Sequence, residues 1–554
     1  MRILSYNITH DSSVCVLNDG VIEYFGKEER FSKIKRDSNP IKSLITYFNY
    51  YPNLEIDYSL FLTPSLDDVN ESSRSIFETI IKKYRHVKTF QTYCENSHHD
   101  LHAWLAYVNS GFKQTLVVVV DRNGASLYTS NNTFLAREAE SVFLFDAVSK
   151  SKPIYKNYWC SPKVDHYEIK HFLTNEYPYC DIRVNSSYSI VKVYEAATTL
   201  IDQHPLENGK TMGLSSYGKN IENQYFDYNG NIEEKYFVHK KDFIESVLFK
   251  DYTNLITKHI TKDNYQFYAD RALEVQNQTQ QQVLNLIEKY TSKYNVNNVC
   301  IVGGYGLNVV ANNYYIKNLP NINFYFEPVA DDTGITIGAC FKKYFETTSN
   351  IPTPTKNTFY HFFNKNEKLK NNLGKKVKVK DLVSLLMDQK SLGLFEAAPE
   401  AGPRALGHRS ILFDPRNIEG KNIVNSIKKR EWYRPFAGVI LKSEFQKYFF
   451  TEGLQESPNM TISFKCKEHS LNLFPAVIHV DNSCRVQTID EGNGVLFNIL
   501  LEFYNRTGCP ILLNTSLNLA GKPLVQTKQD AMDLLNNSEL DYIYFEDEKV
   551  LVNV

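Results

Sequence analysis

The order of apolar and polar positions predicts short strands alternating with helices along the chain. RILSYNI and SVCVLNDGVIEYFG read as β-rich runs, and Asn18-Asp19-Gly20 inside the second supplies hairpin chemistry. TLVVVVD has the length and apolarity of a buried strand; it ends at Asp121 and enters the turn residues Arg122-Asn123-Gly124. VNNVCIVGGYGLNVVANNYYI repeats that logic as strand, glycine turn and helix. In ENSHHDLHAW, His98 and His102 stand four apart and would share one helical face. Leu101, Leu105 and Val108 form a packing stripe there, with Ser97 or Asn96 placed to cap the helix. The Pro/Thr/Asn-rich stretch from Thr347 to Thr358 reads as a linker, and SLGLFEA, FPAVIHV and CPILLN predict further strands beyond it. Alternation of this kind predicts α/β layers.

Length adds a domain count. At 554 residues the chain exceeds one ordinary core, which predicts a first domain over 1–350, a linker over 351–375 and a second domain over 376–554. A hydrophobic share of 42% with 23% charged residues describes a globular chain. The 62 basic and 63 acidic residues leave a formal charge of -1, which argues against long nucleic acid and against a membrane surface as partner. MRILSYNITHDSS is polar where a signal peptide would be apolar, and no apolar stretch approaches the roughly 20 residues that span a bilayer. The nine cysteines contain no CxxC pair, as expected of reduced thiols in a cytoplasmic protein.

Two constellations carry candidate chemistry. In the first, His98 and His102 can present two ring nitrogens to a cation, although the spacing alone also suits surface or core histidines. Asp331 and Asp332, before the turn TGITIGA, offer a third ligand or an N-cap. Two nitrogens and a carboxylate with open positions suit Fe(II) or a similar divalent ion. Gly303 and Gly304 allow close approach of backbone to a ligand, and GKTMGLSSYG is a similar glycine-bearing stretch. His10-Asp11 closes the first strand, a place for functional polar groups or a plain turn.

The second constellation is a set of arginines around turns. Arg404, Arg409 and Arg416 lie in EAGPRALGHRSILFDPRN; Lys428, Arg430 and Arg434 in NSIKKREWYRPFAG; Arg485 in HVDNSCRVQ. Asn514, Ser516 and Asn518 follow the strand CPILLN. Guanidinium forks grip phosphate or carboxylate oxygens in pairs. Any one of these arginines also suits an ordinary salt bridge, but together they flank turns and apolar strands, unlike the charge repeats of a solvated helix face.

Taken in order, NITHDSSVCVLNDG, EERFSKIKRD, HHDLHA, GKTMGLSSYG, GGYGLNVVAN and DDTGITIGA resemble the N-terminal domain of NodU/CmcH-type O-carbamoyltransferases. EAGPRALGHRSIL, KKREWYRPFA, HVDNSCRVQ and NTSLN resemble their C-terminal, YrdC-like domain, so the likeness spans nearly the whole chain. It implies an actin-like/hexokinase-like ATPase (ASKHA) α/β domain followed by a YrdC-like α/β domain. The implied activity is ATP-dependent O-carbamoyl transfer, with carbamoyl-adenylate made from carbamoyl phosphate and ATP in the second domain and used at a metal site in the first. The metal ligands carried over are His98, His102 and Asp332, with Asp332 preferred to Asp331 because it lies two residues before Gly334. His10 matches an active-site histidine, and Asp11, Asp121, Gly213, Gly303, Gly304 and Asn308 match nucleotide-contacting positions. Lys428 with Arg430 and Ser516 with Asn518 match the K-x-R and S-x-N pairs; Arg404, Arg409, Arg434, Arg485 and Asn514 complete the carbamoyl phosphate and ATP site.

The implied cofactors are ATP with Mg(II), carbamoyl phosphate as co-substrate, and Fe(II) or a similar divalent ion. The implied partners are a hydroxylated small-molecule acceptor (a sugar, a natural product, or a nucleoside or nucleotide) and a second copy in a homodimer. One departure stands out: the family commonly has glycine after the aspartate of the VVVD turn, where this chain has Arg122. The rival readings are a tRNA threonylcarbamoyladenosine-type enzyme, which calls for a basic surface, and a non-catalytic nucleotide-binding module.

Overall fold

Every apolar run named above except one becomes a strand. The computed structural model describes residues 1–63, 68–93, 97–128, 134–146, 151–160, 164–185, 189–202, 204–239, 247–249, 260–369 and 374–553. By their internal contacts these form two units: Met1–Glu23 with Ser38–Thr355, and Tyr24–Asp37 with Lys356–Val554. The change from the first unit to the second at Thr355 falls within the Pro/Thr/Asn-rich stretch.

The first unit contains two sheets built by one rule. The first comprises β1 (Arg2–Asn7), β2 (Ser13–Asn18), β3 (Val21–Lys27), β4 (Ile56–Leu62) and β5 (Val87–Tyr93), in the order β3-β2-β1-β4-β5. β1 is antiparallel to β2 and parallel to β4, and β4 is parallel to β5. Asp19 and Gly20 turn the chain between β2 and β3 with φ of 47° and 81°, the left-handed pair that a two-residue hairpin turn requires.

The second sheet comprises β6 (Thr115–Val120), β7 (Ser126–Tyr128), β8 (Phe134–Phe145), β9 (Lys152–Cys160) and β10 (Asp181–Asn185). After a small hairpin of β11 (Phe237–His239) and β12 (Val247–Phe249), it is completed by β13 (Asn298–Val302) and β14 (Asn323–Phe326). The order is β10-β9-β8-β6-β13-β14, with β7 on β8. As in the first sheet, the leading strand β6 is antiparallel to the next long strand, β8, and parallel to a later one, β13, which is parallel to β14.

The helix His98–Ser110 packs against β6, β13 and the helix Ile335–Thr348. Its residues from His98 to Val108 are all buried, so the apolar stripe read from Leu101, Leu105 and Val108 is part of a helix enclosed on every side. Ser97 occupies the N-cap without a side-chain cap bond, and Asn96 lies outside the described residues. The two helices meet at Gly338, where an added Cβ would lie 1.9 Å from the Leu101 carbonyl oxygen. Only a residue without a Cβ permits that approach.

The second unit is organised on a ten-stranded mixed sheet. Its strands are β15 (Lys375–Lys376), β16 (Leu392–Phe395), β17 (Arg409–Phe413), β18 (Ala437–Leu441), β19 (Phe449–Phe450), β20 (Ser463–Cys466), β21 (Ser483–Ile489), β22 (Ile511–Ser516), β23 (Tyr542–Phe545) and β24 (Val550–Val552). The order is β15-β24-β23-β16-β17-β22-β18-β21-β20-β19. FPAVIHV is the exception to the strand reading: Pro475–Val477 form a 3-10 turn. Pro475 has no N–H for a ladder and suits the first position of a helical turn. EERFSKIKRD is built into this second unit, where Arg30 donates to the Gly402 carbonyl at 3.1 Å and the Lys27 amide donates to His361 Nε2 at 3.0 Å. Both units are mixed α/β, the class expected. No described helix is long and apolar enough to cross a membrane.

Candidate functional site

In the first unit the enclosed helix presents His98 and His102 from successive turns toward the ends of β6 and of the loop before Ile335–Thr348. Asp121 follows β6 directly, and Asp332 starts the short turn Asp332–Gly334. One ligand atom from each of His98, His102, Asp121 and Asp332 lies within 4.8 Å of every other. His98 Nε2 is 3.2 Å from Asp121 Oδ2 and 3.6 Å from Asp332 Oδ1; His102 Nε2 is 3.9 Å and 3.7 Å from the same two oxygens. Donors around a tetrahedral ion with bonds near 2.1 Å stand about 3.4 Å apart. Both ring nitrogens of the fully buried His102 lack a hydrogen-bond partner among the described residues. Buried polar atoms are seldom left so, and the set fits a divalent cation.

The two carboxylates set the electrostatics: they hold His98 protonated, so a cation entering this site would have to displace that proton. Burial alone would depress the His98 imidazole, but the Asp332 and Asp121 carboxylates outweigh it and raise it to about 10. Burial would raise Asp121 and Asp332, yet the histidines hold Asp121 at about 2 and Asp332 well below its ordinary value. Two carboxylates are thus kept ionised in a buried site, as cation ligands must be.

The neighbouring aspartate has a different task. Asp331 accepts from the Thr333 amide at 3.2 Å and caps the turn, which leaves Asp332 for the cluster. His10 stands at its edge, with Nδ1 3.6 Å from Asp332 Oδ2 and Nε2 3.4 Å from Asp11 Oδ2; its side chain is 41% exposed, so it is open to a reactant. The Gly304 amide donates to Asp121 Oδ1 at 2.9 Å. Gly303, at φ 87°, brings its backbone so close that a Cβ would lie 2.4 Å from the Val120 carbonyl oxygen. Asn308 caps the helix Val309–Asn318 through the Ala311 amide at 3.1 Å and exchanges amide bonds with Gln276, so its side chain holds the glycine turn in place. Gly213 sits buried inside the helix Asn208–Ser215. Arg122 is ion-paired to the buried Glu195, which Lys192 shares at 3.2 Å.

In the second unit Lys428, at the end of the helix Gly420–Lys428, donates to Ser516 Oγ at 3.1 Å and to the Asn518 carbonyl and Oδ1 at 2.8 and 2.9 Å. Ser516 Oγ is 2.6 Å from Asn518 Oδ1. Arg430 donates to Asn425 Oδ1 at 2.6 Å and to the Pro435 carbonyl at 2.9 Å, and lies 4.0 Å over the Phe436 ring. Strand register places Arg485 on one side of Ala437 and Asn514 on the other, in one row of the sheet. Asn514 donates to Gln487 Oε1 at 2.9 Å, and its own Oδ1 is buried without a partner among the described residues.

This cluster repels itself. Lys428 is pushed well below its ordinary value by burial and then by Arg430 and Arg434. Arg430 is lowered by burial, Arg434 and Arg485; Arg404 by burial, Arg485 and Arg434. Arg485 falls to about 10, by burial first and Arg434 after it. Buried cations that depress one another make a site for a polyanion.

Two arginines of the sequence reading lie apart from that role. Arg409 donates to the Ala397 and His408 carbonyls at 3.1 and 2.8 Å and lies 3.6 Å over the Phe395 ring, so it fastens the loop to the core. Arg416 forks onto Asp414. Glu400 gathers the GPRALGH turn by accepting the Leu406, His408 and Arg409 amides at 2.7, 3.0 and 3.3 Å.

The families described as Carbamoyltransferase N-terminus and Carbamoyltransferase C-terminus match residues 70–341 and 383–552. The chain belongs to the carbamoyltransferase family. It is a carbamoyltransferase enzyme, and each of the two matches contains one of the clusters just described. An uncharacterised protein of Methanocaldococcus jannaschii is 27% identical over 96% of both chains. Nodulation protein NolNO of Sinorhizobium fredii is 24% identical over 96% of this chain and 77% of its own. Nodulation protein U of Bradyrhizobium diazoefficiens is 29% identical over 44% and 42%. Among solved structures, HypF of T. kodakarensis aligns with TM-score 0.39 and 11% identity over 63% of this carbamoyltransferase and 48% of HypF, about half of that chain.

Two residues stand in places that the sequence reading does not give them. Asp121, read there as a nucleotide-contacting position, lies with His98, His102 and Asp332 as a fourth donor atom, and only its place at the end of a buried strand hinted at a functional group. Lys421 stands seven residues before Lys428, hence on the same helix face, and is lowered to about 8 by burial and then by Arg430.

Proposed function

We propose that the protein makes carbamoyl-adenylate at the cation cluster and transfers its carbamoyl group to a substrate hydroxyl at the His/Asp cluster. The observation that carries this reading is the set of buried, mutually repelling cations around Lys428, which two phosphorylated reactants would neutralise. Carbamoyl phosphate is opened by water to carbamate and phosphate. A carbamate oxygen then attacks the α-phosphorus of ATP, bound with Mg(II), and pyrophosphate leaves. Lys428 is held by Ser516 and Asn518 at the point where that charge passes, and Arg404, Arg430, Arg434 and Arg485 offset the reactant oxygens.

At the second site the acceptor oxygen forms a bond to the carbamoyl carbon and AMP leaves. His98, His102, Asp121 and Asp332 would hold an Fe(II)-like ion. Bound there, it supplies Lewis acidity toward a carbonyl oxygen. His10, oriented by Asp11 and Asp332, accepts the acceptor's proton. The Gly303–Gly304 turn, packed closely on Val120 and Asp121, contacts the nucleotide beside the His/Asp cluster. The acceptor is a hydroxylated small molecule.

The test is incubation with ATP and labelled carbamoyl phosphate without acceptor. Pyrophosphate and a labelled adenylate are expected. ADP with no pyrophosphate would contradict the reading.

A further inference from the structure

A bulge in β8 builds a second polar cluster behind the start of the helix His98–Ser110. Glu138 is in register with Tyr158 of β9 and Ser141 with Lys156, so three steps along β8 answer two along β9. In a regular strand, residues three apart point to opposite faces; the extra residue brings Glu138 and Ser141 to the same one. There Ser141 Oγ donates to Glu138 Oε1 at 2.6 Å, and Lys156 Nζ is ion-paired to the same oxygen. His99 Nδ1 lies 2.9 Å from Ser141 Oγ. A hydroxyl has one hydrogen, which Ser141 gives to Glu138, so the ring nitrogen is the donor and the bonds run one way from His99 through Ser141 to Glu138. All four side chains are buried.

The cluster joins two of the three elements that carry the His/Asp donors. His99 stands in the first turn of the helix that bears His98 and His102. On the other side, Glu138 is paired to the turn that follows Asp121. The Gly124 amide donates to the Glu138 carbonyl at 2.8 Å, and the Glu138 amide to the Ala125 carbonyl at 2.9 Å. The Glu138 carboxylate also accepts the Ala125 amide at 3.4 Å. Gly124 is packed so tightly that an added Cβ would lie 2.6 Å from Glu138 Oε2 and 2.7 Å from His99 Nε2. None of these four side chains is itself one of the clustered donors. A buried ion pair adds little stability over apolar residues of similar volume, whereas groups behind metal ligands fix their orientation.

We propose that Glu138, acting through Ser141 and His99, is a positioning residue of the His/Asp site and sets how far His98 and His102 stand from Asp121. The inference rests on the reading of that cluster as a metal site.

The test is Co(II) titration of the full-length protein followed by visible absorption, with a thermal melt beside it. Ser141→Ala removes the middle link and keeps the Glu138–Lys156 pair. Glu138→Gln combined with Lys156→Met removes both buried charges together, so neither is left unpaired; it serves as the second variant should Ser141→Ala fail to unfold cooperatively. In each, Co(II) is expected to bind at least about tenfold more weakly and with an altered visible spectrum, because the donors meet the ion at changed distances. A role in stability alone would lower the melt and leave affinity and spectrum unmoved, and that result in a folded variant overturns the inference by itself. Wild type that takes up no Co(II) overturns the metal assignment, and the inference with it.

Discussion

Gly338→Ala should dismantle the His/Asp cluster without touching any of its members. The new methyl would lie 1.9 Å from the Leu101 carbonyl oxygen and 2.8 Å from its carbon, both backbone atoms that no rotamer change can move. An ordinary carbon–oxygen contact needs about 3.3 Å, so the two helices must part by about 1.4 Å. His98 and His102 ride on one helix and Asp332 on the turn that opens the other, at 3.6 and 3.7 Å across the gap. Metal–ligand distances tolerate only about 0.2 Å. The overpacking should cost about 1–3 kcal/mol of stability, and metal affinity should fall by at least about tenfold. Co(II) titration followed by visible absorption, beside a thermal melt, measures both. A variant that unfolds cooperatively and binds Co(II) as tightly as wild type would refute the claim that this helix contact sets the donor spacing.

Asp121→Asn should weaken Co(II) binding by about 10–100-fold if Asp121 is a ligand, whereas an unchanged affinity would limit it to orienting the Gly304 turn. Arg122→Gly removes one of two cations from the buried Glu195, so a loss of about 1–3 kcal/mol in thermal stability is expected with metal content preserved; an unaffected melt would show the pair to be idle. Glu138 is buried, which alone would raise its carboxyl, but His99, Lys156 and Ser141 hold it at about 2 against an ordinary 4.5. With its folded value depressed, its contribution is present above about 4.5 and lost as pH falls toward 2. Wild-type melting temperature should therefore drop across that window more steeply than that of Glu138→Gln, and parallel curves would contradict the assignment.

Much of the site was legible because its parts are local in sequence. HxxxH on a helix and two aspartates before a glycine turn suggest their own geometry, whereas the K-x-R and S-x-N pairs follow from the family resemblance. The choice between Asp331 and Asp332 became physical only in the structure, where the Thr333 amide takes Asp331 as a cap. Asp121 as a fourth donor depends on β6 ending opposite the helix His98–Ser110, a long-range fact that no spacing expresses. Arg409 looked like its neighbours in GPRALGHR, but backbone carbonyls and the Phe395 ring claim it. FPAVIHV has the composition of a strand, and Pro475 turns it into a 3-10 segment.

Separation of the two chemistries tests the account most directly. With ATP, carbamoyl phosphate and no acceptor, Lys428→Ala should release no pyrophosphate, because the cation cluster has lost the group that Ser516 and Asn518 position. His102→Ala should release it at the wild-type rate, because its change lies in the other unit. Pyrophosphate from Lys428→Ala at the wild-type rate, or its absence from folded His102→Ala, would contradict the division of labour.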